Sequence, residues 1–286
     1  MTAAPPLVSA DWLAQNMQAP DLRIIDATWF APFLGPEQTG REAYDAGHIP
    51  GAVYFDIDTI ADPEADLPHT FPPSHVFSSH VRKLGLGDGH RIIVYDRNNF
   101  FASARVWWTF RAMGVSDISV LDGGWHAWIE HGGAQEDFPP VAIERHFTPR
   151  IRADLLKSTQ QMTQIVANKN TQIIDARPKG RFTGDACEPR PDLPSGHMPG
   201  SLNVPGSEYL TQSGFMKSPQ ELKDVFSAAG VDIVAPAIAS CGSGVTAAIT
   251  ALALATLGND LCAVYDGSWT EWASNPDHPI ATGPGQ

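Results

Sequence analysis

The sequence predicts an α/β protein built from two homologous domains, each a parallel sheet flanked by helices. Three observations predict it. Short β-branched runs alternate with helix-length segments that end at glycine, the pattern of strands joined by crossover helices. The chain also repeats itself: "RIIDA" (23–27) returns as "QIIDA" (172–176), "GHIPGAVYF" (47–55) as "GHMPGSLNV" (196–204), and "LDGGWHAW" (121–128) as "YDGSWTEW" (265–272). Finally, the separation between "IIDA" and "GH" is the same in both halves. Matches in one order at one spacing are the mark of a duplicated unit. The expected division is a first domain over 1–135, a linker over 136–157 and a second domain over 158–286.

Each half then reads in the same order. "LRIIDA" and "TQIIDA" are apolar runs closing on aspartate, expected to be buried strands. The "GHIPG" and "GHMPG" stretches carry Gly and Pro and are expected turns. His48 and His197 occur in both copies there, so they read as structural. "AVYF" and "LNVP" are the next short strands. "SHVFSSHVRKLG" and "SPQELKDVFSAAG" have helical spacing and stop at Gly. "HRIIVYD" and "APAIASC" are strands, "ASARVWWTFRAMG" and "VTAAITALALATLG" helices, "ISVLDGG" and "LCAVYDGS" final strands. The stretch 131–152 is rich in proline and charge without a period, and is expected to run over the surface.

With 286 residues and 43% hydrophobic content, the chain can bury two cores. Its 32 acidic residues outnumber 19 basic ones, for a net charge of −13. That balance argues against a nucleic-acid or anionic-membrane surface, which needs basic patches. A small basic pocket for an anionic substrate remains compatible. Cysteine occurs at Cys187, Cys241 and Cys262. An odd, low count gives no disulfide framework and points to a reducing, cytoplasmic setting. The opening "MTAAPPLVSADWLAQ" lacks the basic and apolar regions of a secretory signal. No apolar run reaches spanning length.

The chemistry concentrates in "ASCGSGVTAA" (239–248). Cys241 closes an expected strand, and chemistry in open parallel sheets sits beyond the carboxyl ends of strands. Gly242, Ser243, Gly244, Val245 and Thr246 then lead into a helix. Glycines at 242 and 244 allow positive φ. Successive N–H groups in such a loop can converge on one point and favour negative charge, as does the helix N-terminus. The sulfur of Cys241 is therefore read as a thiolate nucleophile. Cys262, inside an apolar run, reads as core, and Cys187, in a polar loop, as exposed. The matching first-half position is Asp96, which has no sulfur to attack with, so the first domain is expected to be catalytically silent.

A strand, a six-residue loop opened by cysteine and a helix, duplicated with a silent first copy, resemble the tandem rhodanese-type sulfurtransferases. The resemblance covers nearly the whole chain and implies two rhodanese-like domains. "CGSGVT", "GRFTG…EPR" and "YDGSWTEW" are similar to the branch that takes sulfur from 3-mercaptopyruvate. The resemblance implies that Arg181 and Arg190 bind the donor, with the loop residues Gly242, Gly244, Val245 and Thr246. It also implies that Ser243, Asp58 and His69 take part beside Cys241 in orienting groups or moving a proton. Phe101 departs from the hydroxylated aromatic of some members. The loop itself carries no Lys or Arg, which argues against the compact dianion thiosulfate as main donor.

The expected cycle passes through a Cys241 persulfide, with two half-reactions. The partners implied are a small-molecule sulfur donor and an acceptor, either a thiol such as thioredoxin or a small thiol, or cyanide. No metal, nucleotide or organic cofactor is called for. Rival readings are a thiosulfate:cyanide sulfurtransferase, a cysteine phosphatase and a non-catalytic binding module. The phosphatase needs an arginine closing the loop, where this chain has Ala247. The intact Cys241 loop weighs against the binding module.

Overall fold

A computed structural model describes residues 4–32, 35–190 and 192–285. They form two compact units. The first holds residues up to Ala65, Phe71–Arg152 and Gln212–Phe215, and the second holds Asp66–Thr70, Ala153–Thr211 and the chain from Met216 onward.

The first unit runs β1 (Leu7–Val8), α1 (Ala10–Asn16), β2 (Leu22–Asp26), α2 (Gly40–Ala46), β3 (Ala52–Tyr54), α3 (Ser74–Lys83), β4 (Arg91–Tyr95), α4 (Ser103–Ala112), β5 (Ile118–Leu121) and α5 (Gly124–Glu130). The second repeats the order as β6 (Leu156–Lys157), α6 (Thr159–Asn168), β7 (Gln172–Asp175), α7 (Lys179–Thr183), β8 (Ser201–Asn203), α8 (Pro219–Ala228), β9 (Ala237–Ser240), α9 (Ala247–Thr256), β10 (Cys262–Tyr265) and α10 (Ser268–Ser274). Both sheets have five parallel strands, in the orders β1-β5-β4-β2-β3 and β6-β10-β9-β7-β8. The α/β class and the duplication expected from the sequence are both present.

Local chemistry sets the elements. The central strands β2, β4, β7 and β9 are almost wholly buried, which is why they read as continuous apolar runs rather than alternating ones. Ser158 and Gln161 close a capping box on α6, and Ser218 and Glu221 do so on α8 with Pro219 in the first turn. Each box satisfies N–H groups that a helix start leaves without partners. Helix α9 is buried from Ala247 to Ala255, as an all-apolar sequence demands.

Two features add detail to the sequence expectation. Each unit starts one strand and one helix earlier than "IIDA". A two-residue strand has no period to read, although Ser9 and Ser158 do cap the helices that follow. The stretch 136–152 does run over the surface, with most of its residues exposed, and is docked along the first unit. Phe147 is 4% exposed and packs edge-on to Phe77 at 5.5 Å, while the Arg150 N–H donates to the Met113 carbonyl at 2.7 Å. Its backbone comes so near that a Cβ on Gly87 would lie 2.6 Å from the His146 carbonyl oxygen.

The repeated histidines are structural, as the sequence suggested. His48 stacks on Tyr44 at 3.9 Å and His197 on Phe182 at 3.8 Å. Each ring places Nδ1 2.9 Å from the carbonyl of the residue it stacks on. No described helix is long and apolar enough to cross a membrane.

Candidate active site

Strand β9 lies between β10 and β7, near the middle of the second sheet, and its carboxyl end delivers Cys241. The backbone there is tied down on one side. The Cys241 N–H donates to Ser268 Oγ at 3.1 Å, and that hydroxyl donates to the Tyr265 carbonyl at 2.8 Å. The Trp269 N–H donates to the Cys241 carbonyl at 3.0 Å. The Gly242 carbonyl accepts from both the N–H and the hydroxyl of Thr270, at 2.9 and 2.6 Å.

Those contacts orient the loop. In a trans peptide the C=O and the following N–H point in opposite directions. With the carbonyls of residues 241 and 242 turned toward α10, the N–H groups of Gly242 and Ser243 turn away from it. Neither N–H donates to an acceptor among the described residues. Helix α9 starts at Ala247, after Thr246 as its N-cap residue, and adds its positive end.

Ser268 was not singled out in the sequence, yet it anchors Cys241. It adopts φ +49°, a conformation that costs a side-chain-bearing residue about 1–2 kcal/mol, here offset by its two hydrogen bonds. The first unit has Gly124 at the matching place, with φ +55°. The difference between "DGG" and "DGS" was therefore the readable signal.

Of the two loop glycines, only Gly244 takes a positive φ, at +79°. Gly242 does not, and the reason for a glycine there is proximity. A Cβ built on it would stand 3.2 Å from Nη2 of Arg181 and 3.8 Å from Nη1 of Arg190. Both arginines named from the sequence thus lie against the Cys241 loop. Burial lowers the pKa of Arg190, while attraction to a Cys241 thiolate opposes that shift.

Behind Arg181 stands a network the sequence did not reveal. Glu188 accepts from Arg181 through Nε at 3.0 Å and also through Nη2, and from Arg177 through Nη1 at 2.8 Å. Arg177 also pairs with both Asp175 oxygens, donates to the Gly196 carbonyl at 2.7 Å, and lies 4.2 Å from the Trp269 ring centre. Burial works against that cation, but Asp175 and Glu188 outweigh it and hold its pKa above the usual guanidinium value.

The remaining sequence candidates fall as follows. Ser243 and Thr246 are half-buried, and Val245 is buried. Residue 241 itself is only 2% exposed. His69 belongs to the second unit, through the segment Asp66–Thr70, and is buried with φ +57°. Asp58 is an exposed residue of the first unit, accepting from Trp29 Nε1 at 2.6 Å. Ala247, where a phosphatase would need arginine, is buried at the start of α9.

The first unit shows what such a loop does with an anion. The Asp96 carboxylate accepts from the N–H groups of Asn98, Phe100, Ala102 and Ser103 at 2.8–3.2 Å. This loop is thus folded around the side chain of its own first residue.

The thiols also separate. Burial pushes the Cys262 thiol up to about 12, whereas Cys187 is exposed. Iodoacetamide at about pH 8 is expected to label Cys187 and spare Cys262 in the folded protein, because the thiolate is the reactive form. Peptide mapping checks this, and equal labelling of the two would contradict the buried assignment.

Comparison with known proteins agrees with this geometry. The family model for the rhodanese-like domain matches residues 9–131 and 158–275. The chain is 41% identical to the 3-mercaptopyruvate sulfurtransferase of Escherichia coli K12, over 96% of both chains. It is 39% identical to the thiosulfate sulfurtransferase of Cricetulus griseus, over 93% of this chain and 91% of that one. The crystal structure of SseA, a 3-mercaptopyruvate sulfurtransferase from Escherichia coli, superposes with a TM-score of 0.84 at 37% identity. It covers 94% of this chain and 99% of that one. Relatives named for different donors stand at nearly equal identity, so the choice of donor rests on the site.

Proposed function

The chain belongs to the rhodanese family, and from that premise we propose that it is a 3-mercaptopyruvate sulfurtransferase working through a persulfide on Cys241. The observation that carries the reading is the approach of Arg181 and Arg190 to Gly242, one residue from the sulfur. Two guanidinium groups can grip a carboxylate and a neighbouring carbonyl through charge-assisted hydrogen bonds. That pairing fits 3-mercaptopyruvate, which carries one of each.

In the first half-reaction the Cys241 thiolate attacks the donor sulfur. An S–S bond forms, the C–S bond breaks, and its electrons leave on the enolate of pyruvate. Arg181 and Arg190 offset the charge growing on oxygen, a contribution that is larger in the transition state than before it. The donor's thiol proton passes to the enolate carbon and completes pyruvate. Ser243, with His69, is the candidate to carry it. The persulfide anion is held by the N–H groups of Gly242 and Ser243, with Gly244, Val245 and Thr246 shaping the loop around it. In the second half-reaction a thiol, from thioredoxin or a small molecule, or cyanide attacks the outer sulfur. The S–S bond breaks and Cys241 leaves as thiolate. Three free cysteines suit a reducing compartment such as the cytoplasm.

The test is intact-protein mass spectrometry after mixing with 3-mercaptopyruvate alone. The expected result is one added sulfur per chain, mapped to the Cys241 peptide, with one pyruvate released. Sulfur on Cys187 instead, or none, overturns the reading.

A further inference from the structure

We propose that Glu188 is a positioning residue that sets the charge preference of the donor site, holding Arg181 against the Cys241 loop while cancelling one positive charge beside it. The inference rests on the assignment of a carboxylate donor to Arg181 and Arg190, and extends it to what selects that donor.

The geometry assigns each Glu188 oxygen a separate task. The side chain is 2% exposed. One oxygen is held by Arg177, itself 1% exposed and locked by Asp175, the Gly196 carbonyl and the face of Trp269. That end cannot swing. The other oxygen takes both Nε and Nη2 of Arg181, whose side chain is 21% exposed. Two bonds from one guanidinium fix its plane. The fixed plane is the one that presents Nη2 3.2 Å from where a Cβ on Gly242 would stand. Arg181 is thus the group open to a ligand, and Glu188 is the buried support that aims it.

The same carboxylate also tempers the field. Arg190 is attracted by the negative charges of Cys241 and Glu188 and repelled by Arg181, so all four groups share one electrostatic neighbourhood. A fixed negative charge in that neighbourhood penalises a dianion more than a monoanion, because the repulsion scales with the charge brought in. Thiosulfate carries two negative charges and 3-mercaptopyruvate one. Replacing Glu188 by the isosteric glutamine keeps an oxygen for Arg181 and removes the charge.

The experiment measures kcat/KM for 3-mercaptopyruvate and for thiosulfate, with cyanide as acceptor, in wild type, Glu188→Gln and Glu188→Asp. The wild-type rates test the donor assignment, and the variants' ratios test Glu188 separately. Glu188→Gln should raise the thiosulfate-to-mercaptopyruvate ratio by about tenfold, chiefly through a lower KM for thiosulfate. Glu188→Asp keeps the charge and should keep the ratio within about twofold while lowering both rates. A merely structural role would lower both donors in parallel in both variants, and that result overturns the proposal. Inhibition of the wild type by inert anions supplies a check independent of folding. Lactate should compete with the donor more strongly than sulfate at equal ionic strength, and the reverse order overturns the proposal.

Discussion

Cys241→Ser is expected to abolish sulfur transfer while leaving the fold in place. The hydroxyl keeps its proton at neutral pH and cannot form the persulfide, so turnover should fall by a factor on the order of 10^4 or more, as when other enzymes lose a nucleophile. Stability should change little, within about 1 kcal/mol, because serine and cysteine differ by one atom and the anchoring contacts are made by the backbone. The Cys241 N–H reaches Ser268 and its carbonyl accepts from Trp269, and neither contact involves sulfur. Pyruvate formation with 3-mercaptopyruvate and a thermal melt check both halves of the expectation. Residual turnover near the wild-type rate would move the nucleophile elsewhere, with the exposed Cys187 next in line.

The parts of this site differ in how far the sequence discloses them, and the reasons are physical. Cys241 was legible because the end of an apolar strand followed by a glycine-rich run has few structural meanings. The repeat sharpened it by placing Asp96 at the same point of the other copy. Arg181 and Arg190 needed the family motif, since an arginine in a polar loop is ordinarily a solvated one. Glu188 stands in the same motif, with no role read for it. Its burial arises from pairing with Arg177 and Arg181, contacts fixed by how the loop after β7 folds and not by any spacing pattern. Ser268 hid for a different reason. Its one trace is the change from "DGG" to "DGS" between the copies, and because serine is uncommon at positive φ that change gains its meaning from the backbone beside Cys241. At the level of the fold, the long buried strands were plain, while β1 and β6 were too short to carry a period.

Asp96→Ala is expected to give the largest loss of stability, about 3 kcal/mol, confined to the first unit. The carboxylate is the shared acceptor of four N–H groups within one loop, at residues 98, 100, 102 and 103. Burial pushes the Asp96 carboxyl upward, and the hydrogen bonds from Ser103, Ala102 and Asn98 pull against that shift. Alanine removes the acceptor and leaves the donors facing an apolar methyl. Each buried donor left without a partner costs roughly 1–3 kcal/mol, although those nearest solvent can recover water. Hydrogen exchange should localise the loss, with faster exchange at residues 98–103 and no change along β9 and α9 of the other unit. An unaltered melting profile would mean that the four N–H groups find other acceptors, and the comparison between loops would fail with it. Cys241 occupies the Asp96 position in a loop anchored in the same way, with the Trp269 N–H on the Cys241 carbonyl as the Trp125 N–H is on the Asp96 carbonyl. A loop that wraps a built-in carboxylate in one copy is suited, in the other, to hold the anion that Cys241 acquires when it takes up sulfur.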